Sequence, residues 1–244
     1  MSFVKKYQKA VLVSLTVTGL LFLWFNTSMI RFAKTLYLIA TVSPFDRTIA
    51  GAPSILVLGD STGYGTGAKT AADSIGGQIG KEFPKYSILN DTTNGRTIKE
   101  LVSVVEKLDG DHELILLQIG GNDILQARDL ATVERELRQI ISVLETHSKN
   151  IVMMSSGNVG GARSFSGEKA AQYEQSSREF RAMFKQVAAD TAMVYVDLFQ
   201  EPADDPFVQN PDMYFAWDGL HPSSAGYALW YQSLSPVLKS SLRP

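Results

Sequence analysis

Residues 55–65 read ILVLGDSTGYG, a buried-strand pattern that changes abruptly into a glycine-rich turn. Four consecutive aliphatic residues, 55–58, are typical of a short strand that is buried on both faces. The glycines that follow surround one serine hydroxyl, that of Ser61, and leave room for a substrate because they carry no Cβ. Open α/β folds bind their ligands at the carboxyl ends of their strands. The segment therefore predicts a strand that presents Ser61 at such an edge, where it is a candidate nucleophile.

Strand and helix patterns alternate along the rest of the chain. Short apolar runs predict strands at 55–58, 86–90, 114–119, 151–154 and 193–196. Apolar residues at helical spacing predict helices at 71–83, 98–108, 130–146, 168–190 and 223–234, the last ended by Pro236. The connection 197–217 contains three prolines, which should exclude regular structure from much of it. This alternation predicts an α/β fold, a three-layer αβα sandwich around a five-stranded parallel sheet.

The composition excludes several classes of protein. At 244 residues, the chain is long enough for one full domain plus an appendage. Its 23 Lys and Arg residues are balanced by 25 Asp and Glu residues, so no nucleic-acid partner is expected. The absence of cysteine excludes disulfides, zinc–thiolate sites and a cysteine nucleophile.

The amino terminus has the pattern of a membrane segment. Lys5, Lys6 and Lys9 precede residues 10–30, a run of 21 residues without a charge, and about 20 apolar residues suffice to cross a bilayer. We interpret residues 1–50 as an uncleaved transmembrane anchor with its linker, and residues 51–244 as the catalytic domain. A cleaved signal peptide and a buried helix of a soluble domain are the alternatives.

The distribution of positive charge around this run favours a catalytic domain outside the cytoplasm. Three lysines and the terminal amine precede the run, whereas Arg31 and Lys34 follow it. Apolar residues then recur at helical spacing, namely Met29, Phe32, Leu36 and Ile39. This second pattern fits a short helix on the membrane surface, or the end of the anchor fraying into a linker that runs to Pro53.

The residues with catalytic potential follow the predicted strands or precede the last helix. Ser61, Gly95 and Asn122 follow strands one, two and three, and Asp218-Gly219-Leu220-His221 precedes the final helix. A serine hydroxyl needs a base, and that base needs a group that fixes its tautomer. Asp218 and His221 can supply both if their turn folds over Ser61. The other two histidines, at 112 and 147, are interpreted as solvated surface residues.

These segments resemble the four sequence blocks of the SGNH hydrolases, also called GDSL lipases and esterases, in the order of that family. The resemblance spans about residues 54–238. It implies a flavodoxin-like fold and hydrolysis of carboxylic esters through an acyl-enzyme, with no cofactor and no metal. Ser61 is then the nucleophile, His221 the general base and acid, and Asp218 its orienting group. The oxyanion hole consists of the backbone N–H groups of Ser61 and Gly95 and the side-chain amide of Asn122. Asp60 and Asp123 are expected to be structural.

Three alternatives compete with this interpretation. Residues 63–68, GYGTGA, formally match a dinucleotide-binding fingerprint, but that function leaves Asn122 and the Asp218–His221 pair unexplained. A catalytically degenerate binding module would lack a triad residue, and none is missing. Transfer of an acyl group to a glycan, in place of hydrolysis, would use the same residues.

The sequence leaves the substrate open between acyl or acetyl esters of lipids and those of envelope glycans. An aromatic and apolar cluster precedes His221, and its members are Phe207, Met213, Tyr214, Phe215 and Trp217. These side chains could line an acyl pocket, touch lipid, or cover the sheet edge as part of the core. No pattern in the sequence indicates an oligomeric state.

Overall fold

The computed structural model describes residues 13–14, 16–19, 22, 29–30 and 33–242. The chain divides into two compact units, Met1–Ala40 and Thr41–Pro244. Residues 33–41 are helical. Among the described residues, no helix combines the length and the apolar character needed to cross a bilayer. Most of the predicted anchor, residues 10–30, lies outside the described residues.

The second unit is built on a single five-stranded sheet. Its strands are β1 (Ser54–Gly59), β2 (Ser87–Thr92), β3 (Leu114–Gln118), β4 (Ile151–Met154) and β5 (Met193–Val196). All neighbouring strands are parallel, in the order β2-β1-β3-β4-β5. The chain winds in opposite directions from β1 and β3, which leaves a crevice at their carboxyl ends, the usual ligand site of such sheets.

Helices cover both faces of the sheet. They are α1 (Ser61–Tyr64), α2 (Ile75–Glu82), α3 (Ile98–Val105), α4 (Gly121–Leu125), α5 (Leu130–Leu144), α6 (Gly167–Asp190), α7 (Pro206–Gln209), α8 (Pro211–Tyr214) and α9 (Ser224–Ser241). One buried cluster joins α3, α5 and α6 to one face, and a second joins α2 and α9 to the other. Alternate residues of β1 enter different clusters, since Leu56 and Leu58 face the first and Ile55 and Val57 the second. The predicted three-layer αβα sandwich is therefore confirmed.

The last helix is longer than predicted. Pro236 lies inside α9, which continues to Ser241. A proline in a helix interior costs about 3 kcal/mol because it removes one backbone hydrogen bond and crowds the preceding turn. Leu234 and Leu238 are fully buried on either side of it, each worth about 1.5–3 kcal/mol, and Lys239 pairs with Glu82 of α2 at 2.6 Å. Packing against α2 thus outweighs the local penalty.

Prolines also begin helices in the long connection before the active-site turn. Pro206 and Pro211 occupy the first positions of α7 and α8, where the missing N–H group has no helical partner to lose. The carboxylate of Asp205 accepts from the N–H of Phe207 at 2.9 Å and so caps α7. The prediction that prolines exclude regular structure here is wrong for these two turns.

The segment predicted as a linker packs against the domain. Arg47 forms an antiparallel bridge with Ile88, and its guanidinium donates to the carbonyls of Gly80, Phe83 and Tyr86 at 2.8, 3.0 and 2.7 Å. The ring of Phe45 fills the space beside Gly80. The second unit accordingly begins at Thr41, about ten residues before the predicted boundary.

Candidate active site

The turn after β1 fixes the position of Ser61. Gly59 has a φ of +149°, and a Cβ there would overlap the carbonyl oxygen of Gln118 in β3. The next residue, Asp60, donates its N–H to that same oxygen at 2.9 Å. Its buried carboxylate accepts from the N–H and the hydroxyl of Thr62, both at 2.8 Å. Ser61 therefore begins α1 at the carboxyl end of β1, as predicted.

Ser61, His221 and Asp218 form one chain of hydrogen bonds. Ser61 Oγ lies 3.0 Å from His221 Nε2, and His221 Nδ1 lies 2.6 Å from Asp218 Oδ2. All three residues are buried. The carboxylate favours the tautomer with the proton on Nδ1, which leaves Nε2 free to accept the hydroxyl proton of the serine. The structure thus brings together the three residues that the sequence separates by up to 160 positions.

The charge on Asp218 is stabilised by its neighbours. Burial by itself would raise the pKa of this carboxyl group, but the hydrogen bond and the charge of His221 lower it. The N–H groups of Leu220 and His221 also donate to Asp218 Oδ1, at 3.0 and 3.1 Å. The net pKa lies below the ordinary value, so Asp218 is ionised at neutral pH and can hold the imidazole in place.

The turn that carries His221 is attached to two other loops. Ser164 donates its hydroxyl to the carbonyl of Asp218 at 2.7 Å and its N–H to that of Gly219 at 3.0 Å. On the other side, a Cβ on Gly67 would overlap the carbonyl of Pro222 and lie 3.0 Å from the Cβ of His221. The backbone of residues 59–67, hereafter the first loop, therefore packs directly beneath the histidine.

The residues assigned to the oxyanion hole lie in neighbouring loops. Asn122 is in the first turn of α4, directly after β3, and its Nδ2 donates to the carbonyl of Arg96 at 3.1 Å. That bond fixes the orientation of the amide beside the turn that contains Gly95. Gly95 has a φ of +83°, and a Cβ there would meet nothing within 4 Å, so the glycine serves the backbone conformation and not a close approach. Asn122 lines the cavity described below, whereas Gly95 is not among its lining residues.

Two further side chains hold these loops. Asn94 Oδ1 accepts from the hydroxyl of Thr66 at 2.6 Å and so ties the turn after β2 to the first loop. Asp123 is fully buried and accepts from the N–H of Ile98 at 3.1 Å and from Arg128 at 2.7 Å. Burial raises the pKa of Asp123, although Arg128 counteracts this effect. Asp60 and Asp123 thus bond backbone amides in the first turns of α1 and α3, in keeping with the structural role expected of them.

A cavity of about 690 Å³, including the part open to solvent, adjoins Ser61 and His221. Of the cluster predicted from the sequence, Phe207 and Phe215 are buried and line this cavity, while Met213 and Trp217 are exposed. Sequence reasoning missed further lining residues, among them Asn158, Asp205 and Trp230. Asn158 lies in a Gly/Ser-rich loop without a recognisable motif, so no sequence signal marks it.

The other two histidines lie near the amino ends of the strands. His112 Nδ1 is 2.7 Å from the hydroxyl of Ser54, the first residue of β1, and His147 Nδ1 is 2.8 Å from the carbonyl of Gly110. His112 is partly buried, and burial lowers its pKa, so its interpretation as a solvated residue is wrong. Both histidines are at the opposite edge of the sheet from Ser61.

Comparisons with known proteins point to one family. A family model described as GDSL-like Lipase/Acylhydrolase matches residues 57–229 of the chain. The matched range includes Ser61, Asn122, Asp218 and His221. No curated protein sequence matches the chain.

Three solved structures illustrate the shared fold. The chain is similar to a member of the lipolytic protein G-D-S-L family from Veillonella parvula DSM 2008, with a TM-score of 0.61 and 20% identity over 76% of this chain and 98% of that one. A catalytic mutant of Axe2, an acetylxylan esterase from Geobacillus stearothermophilus, has a TM-score of 0.59 and 20% identity over 81% and 99%. The psychrotrophic esterase EstA from Pseudoalteromonas sp., in a structure inhibited by monoethylphosphonate, has a TM-score of 0.57 and 16% identity over 77% and 97%. At these identities the likeness shows the fold.

The buried carboxyl of Asp60 predicts a pH-dependent stability. Burial raises its pKa from 3.8 to about 6, despite the hydrogen bonds from Thr62. The folded protein therefore binds this proton more tightly than the unfolded chain does, and the resulting stabilisation is complete below about pH 4 and lost as the pH rises through 6. The variant Asp60→Asn retains the capping oxygen but cannot ionise. Its free energy of unfolding minus that of wild type should therefore increase by on the order of 2–3 kcal/mol as the pH rises from 4 to 7.

Urea unfolding at pH 4, 5, 6 and 7 measures this difference. Asp109→Asn, which removes an exposed carboxyl group, controls for the loss of one charge. Parallel stability curves for wild type and Asp60→Asn would show that Asp60 keeps an ordinary affinity for its proton.

Proposed function

The chain belongs to the GDSL-like lipase/acylhydrolase family and is an enzyme that acts on carboxylic esters, and we propose that it hydrolyses them through Ser61, His221 and Asp218. The observation that carries the proposal is the unbroken hydrogen-bond chain, 3.0 Å from Ser61 to His221 and 2.6 Å from His221 to Asp218. A hydroxyl, a base and an orienting carboxylate in this order constitute an activated nucleophile.

The first half of the proposed reaction forms an acyl-enzyme. Ser61 Oγ attacks the carbonyl carbon of the ester while His221 Nε2 takes the hydroxyl proton, and the electrons of the C=O bond move onto its oxygen. Asp218 stabilises the imidazolium that forms. As the tetrahedral intermediate collapses, the bond between the carbonyl carbon and the alcohol oxygen breaks. His221 gives its proton to that leaving oxygen, and the acyl group remains on Ser61.

The second half releases the acid. Water attacks the acyl carbon, His221 accepts a proton from it, and the second tetrahedral intermediate expels Ser61 Oγ, which recovers the proton from His221. In both halves, the developing oxyanion accepts from the Asn122 amide and from the N–H group of Ser61, both of which line the cavity, and the N–H group of Gly95, from the adjoining turn, is the third proposed donor. An amide donates to this charge, whereas a carboxylate in the same place would repel it.

We further propose that the ester carries an acyl or acetyl group on a lipid or on an envelope glycan. Axe2 acts on acetylxylan and EstA is an esterase, but a shared fold does not transfer their substrates to this chain. If a sugar hydroxyl replaced water in the second half, the same residues would transfer the acyl group to a glycan.

The proposal includes membrane attachment through residues 10–30, with the catalytic domain outside the cytoplasm. It rests on the uncharged run of 21 residues and on the three lysines that precede it. An anchored hydrolase of this kind would act on esters within reach of the membrane surface.

Replacement of the nucleophile is the direct test of the mechanism. Ser61→Ala removes one oxygen and should abolish hydrolysis of 4-nitrophenyl acetate while leaving the melting temperature near that of wild type. A fluorophosphonate probe should label the wild-type protein at Ser61 and fail to label the variant. Ser103→Ala, which alters an exposed serine of α3, should retain both the activity and the labelling. Undiminished turnover by purified Ser61→Ala would refute the assignment.

The oxyanion hole makes a separate kinetic prediction. Asn122→Ala should lower kcat about 10²–10³-fold with a much smaller change in KM, because the lost donor acts on the transition state. Asn150→Ala, which removes an amide bonded to the carbonyl of Glu113 ahead of β3, should leave kcat unchanged. Steady-state kinetics on 4-nitrophenyl acetate distinguishes the two variants. Equal kcat values for Asn122→Ala and wild type would remove Asn122 from the mechanism.

The anchor predicts how the protein fractionates. The mature protein should retain residues 10–30, sediment with membranes and resist alkaline carbonate extraction. Deletion of residues 1–40 should release a soluble enzyme that still hydrolyses 4-nitrophenyl acetate, because Arg47 and every residue of the site are kept. A mature amino terminus between about residues 26 and 50, found by mass spectrometry, would indicate a cleaved signal instead. Protease shaving of spheroplasts tests the orientation, since protection of the domain would reverse it.

A further inference from the structure

Asn158 is a buried polar residue in the wall of the active-site cavity. Only 7% of its surface is exposed, and it lines the same cavity as Ser61 and His221. Within residues 33–242, neither its Oδ1 nor its Nδ2 has a hydrogen-bond partner. A buried amide without partners is unfavourable, and most such groups in folded proteins are paired. Both atoms have almost no accessible surface, so the amide must turn about its Cβ–Cγ bond to meet a molecule in the cavity, and no hydrogen bond within the described structure opposes that rotation. The amide then offers two donors and one acceptor to such a molecule.

Asp205 contributes a second polar group to this wall. It is 6% exposed, and one carboxylate oxygen caps α7 by accepting from the N–H of Phe207. No cation of the described part of the chain pairs with it, and the hydrogen bonds found there leave its second oxygen, Oδ2, without a donor. A carboxylate oxygen in this environment is an acceptor for a hydroxyl group.

We propose that Asn158 and Asp205 form a polar subsite that binds hydroxyl groups in the alcohol part of the ester, so that the preferred substrate is an ester of a polyol or sugar. This inference rests on the proposed function. An amide that both donates and accepts, in the same cavity as an acceptor-only carboxylate, complements the hydroxyls of a polyol, each of which does both. Phe207, Phe215 and Trp230 line the same cavity and offer apolar surface to the carbon skeleton of such an alcohol.

The connections of the two residues assign the subsite to the leaving-group side. His221 must protonate the alcohol oxygen, so the alcohol has to lie next to the turn that carries His221. The loop of Asn158, residues 155–166, is bonded to that turn through Ser164. Asp205 belongs to the connection that leads into the same turn.

The same polar wall discriminates against an alcohol that is purely hydrocarbon. Methylene groups placed against Asn158 and Asp205 could form no hydrogen bond with them, and any water that they displaced would leave these groups unpaired. Sites built to hydrogen-bond a hydroxyl reject analogues that lack it far more strongly than apolar pockets reject a missing methylene.

A matched pair of acetates tests the subsite in the purified full-length enzyme. Glycerol 1-acetate and propyl acetate share the acetyl group and a three-carbon alcohol, but only the first has free hydroxyls. Acid release in a pH-stat gives kcat/KM for each. Wild type should favour glycerol 1-acetate by about tenfold or more. Asn158→Leu, similar in shape but without polar atoms, should bring the ratio towards one, whereas Asn210→Leu, at an exposed asparagine outside the cavity, should keep it.

Asp205→Asn provides a second variant, since it keeps an oxygen to cap α7 and removes the charge. It should lower the ratio of kcat/KM for glycerol 1-acetate to that for propyl acetate several-fold. If Asn158→Leu fails to fold, Asp205→Asn tests the subsite by itself. Equal hydrolysis of the two acetates by wild type, or an unchanged ratio in the folded variants, would overturn the subsite while leaving the esterase intact. Hydrolysis of neither acetate, or hydrolysis that survives Ser61→Ala, would overturn the proposed function itself.

Discussion

The position of the serine depends on two glycines of the first loop that pack directly against other segments of the backbone. At Gly59 the backbone lies against the carbonyl of Gln118 in β3, and at Gly67 it lies against the carbonyl of Pro222. The first contact fixes the loop to the sheet, and the second fixes it to the turn that carries His221. Because both contacts are between backbone segments, they leave little freedom to the residues between them. The 3.0 Å separation of Ser61 and His221 follows from this close packing, although β1 and the last helix are far apart in the chain.

Three buried aspartates around the site illustrate how neighbours decide the state of a carboxyl group. Asp60 accepts only from neutral donors of Thr62, and burial raises its pKa to about 6. Burial also raises the pKa of Asp123, even though Arg128 donates a hydrogen bond to its carboxylate. Asp218 alone has a pKa below its ordinary value, because His221 and two N–H groups outweigh its burial. Asp218 is thus the carboxylate of the three whose ionised form its neighbours favour most, and it is the one bonded to the imidazole, while the other two hold loops.

The sequence predicts those parts of the molecule that depend on local patterns. The bounds of β4 and β5 agree with prediction, since a short apolar run flanked by breakers has few other interpretations. The prediction that α9 ends at Pro236 fails because the burial of Leu238 against α2 is a tertiary effect. The grouping of Ser61, Asp218 and His221 came from motif order and not from periodicity. Asn158 could not be found in this way, because a buried amide without a partner is recognisable only once its neighbours are known.

The walls of the cavity differ in how much of the fold depends on them. Phe207 contacts the rings of Tyr214, Phe215 and Trp230, with centroids 5.5, 5.0 and 5.6 Å away, so any replacement of it would disturb the core as well as the substrate. Asp205 both lines the cavity and caps α7, and changing it affects two functions at once. The Asn158 side chain bonds to nothing else in the described structure, so its polar atoms support no other element. Substrate preference can therefore change at Asn158 without loss of the turn that holds Ser61 or of the hydrogen bonds that orient His221.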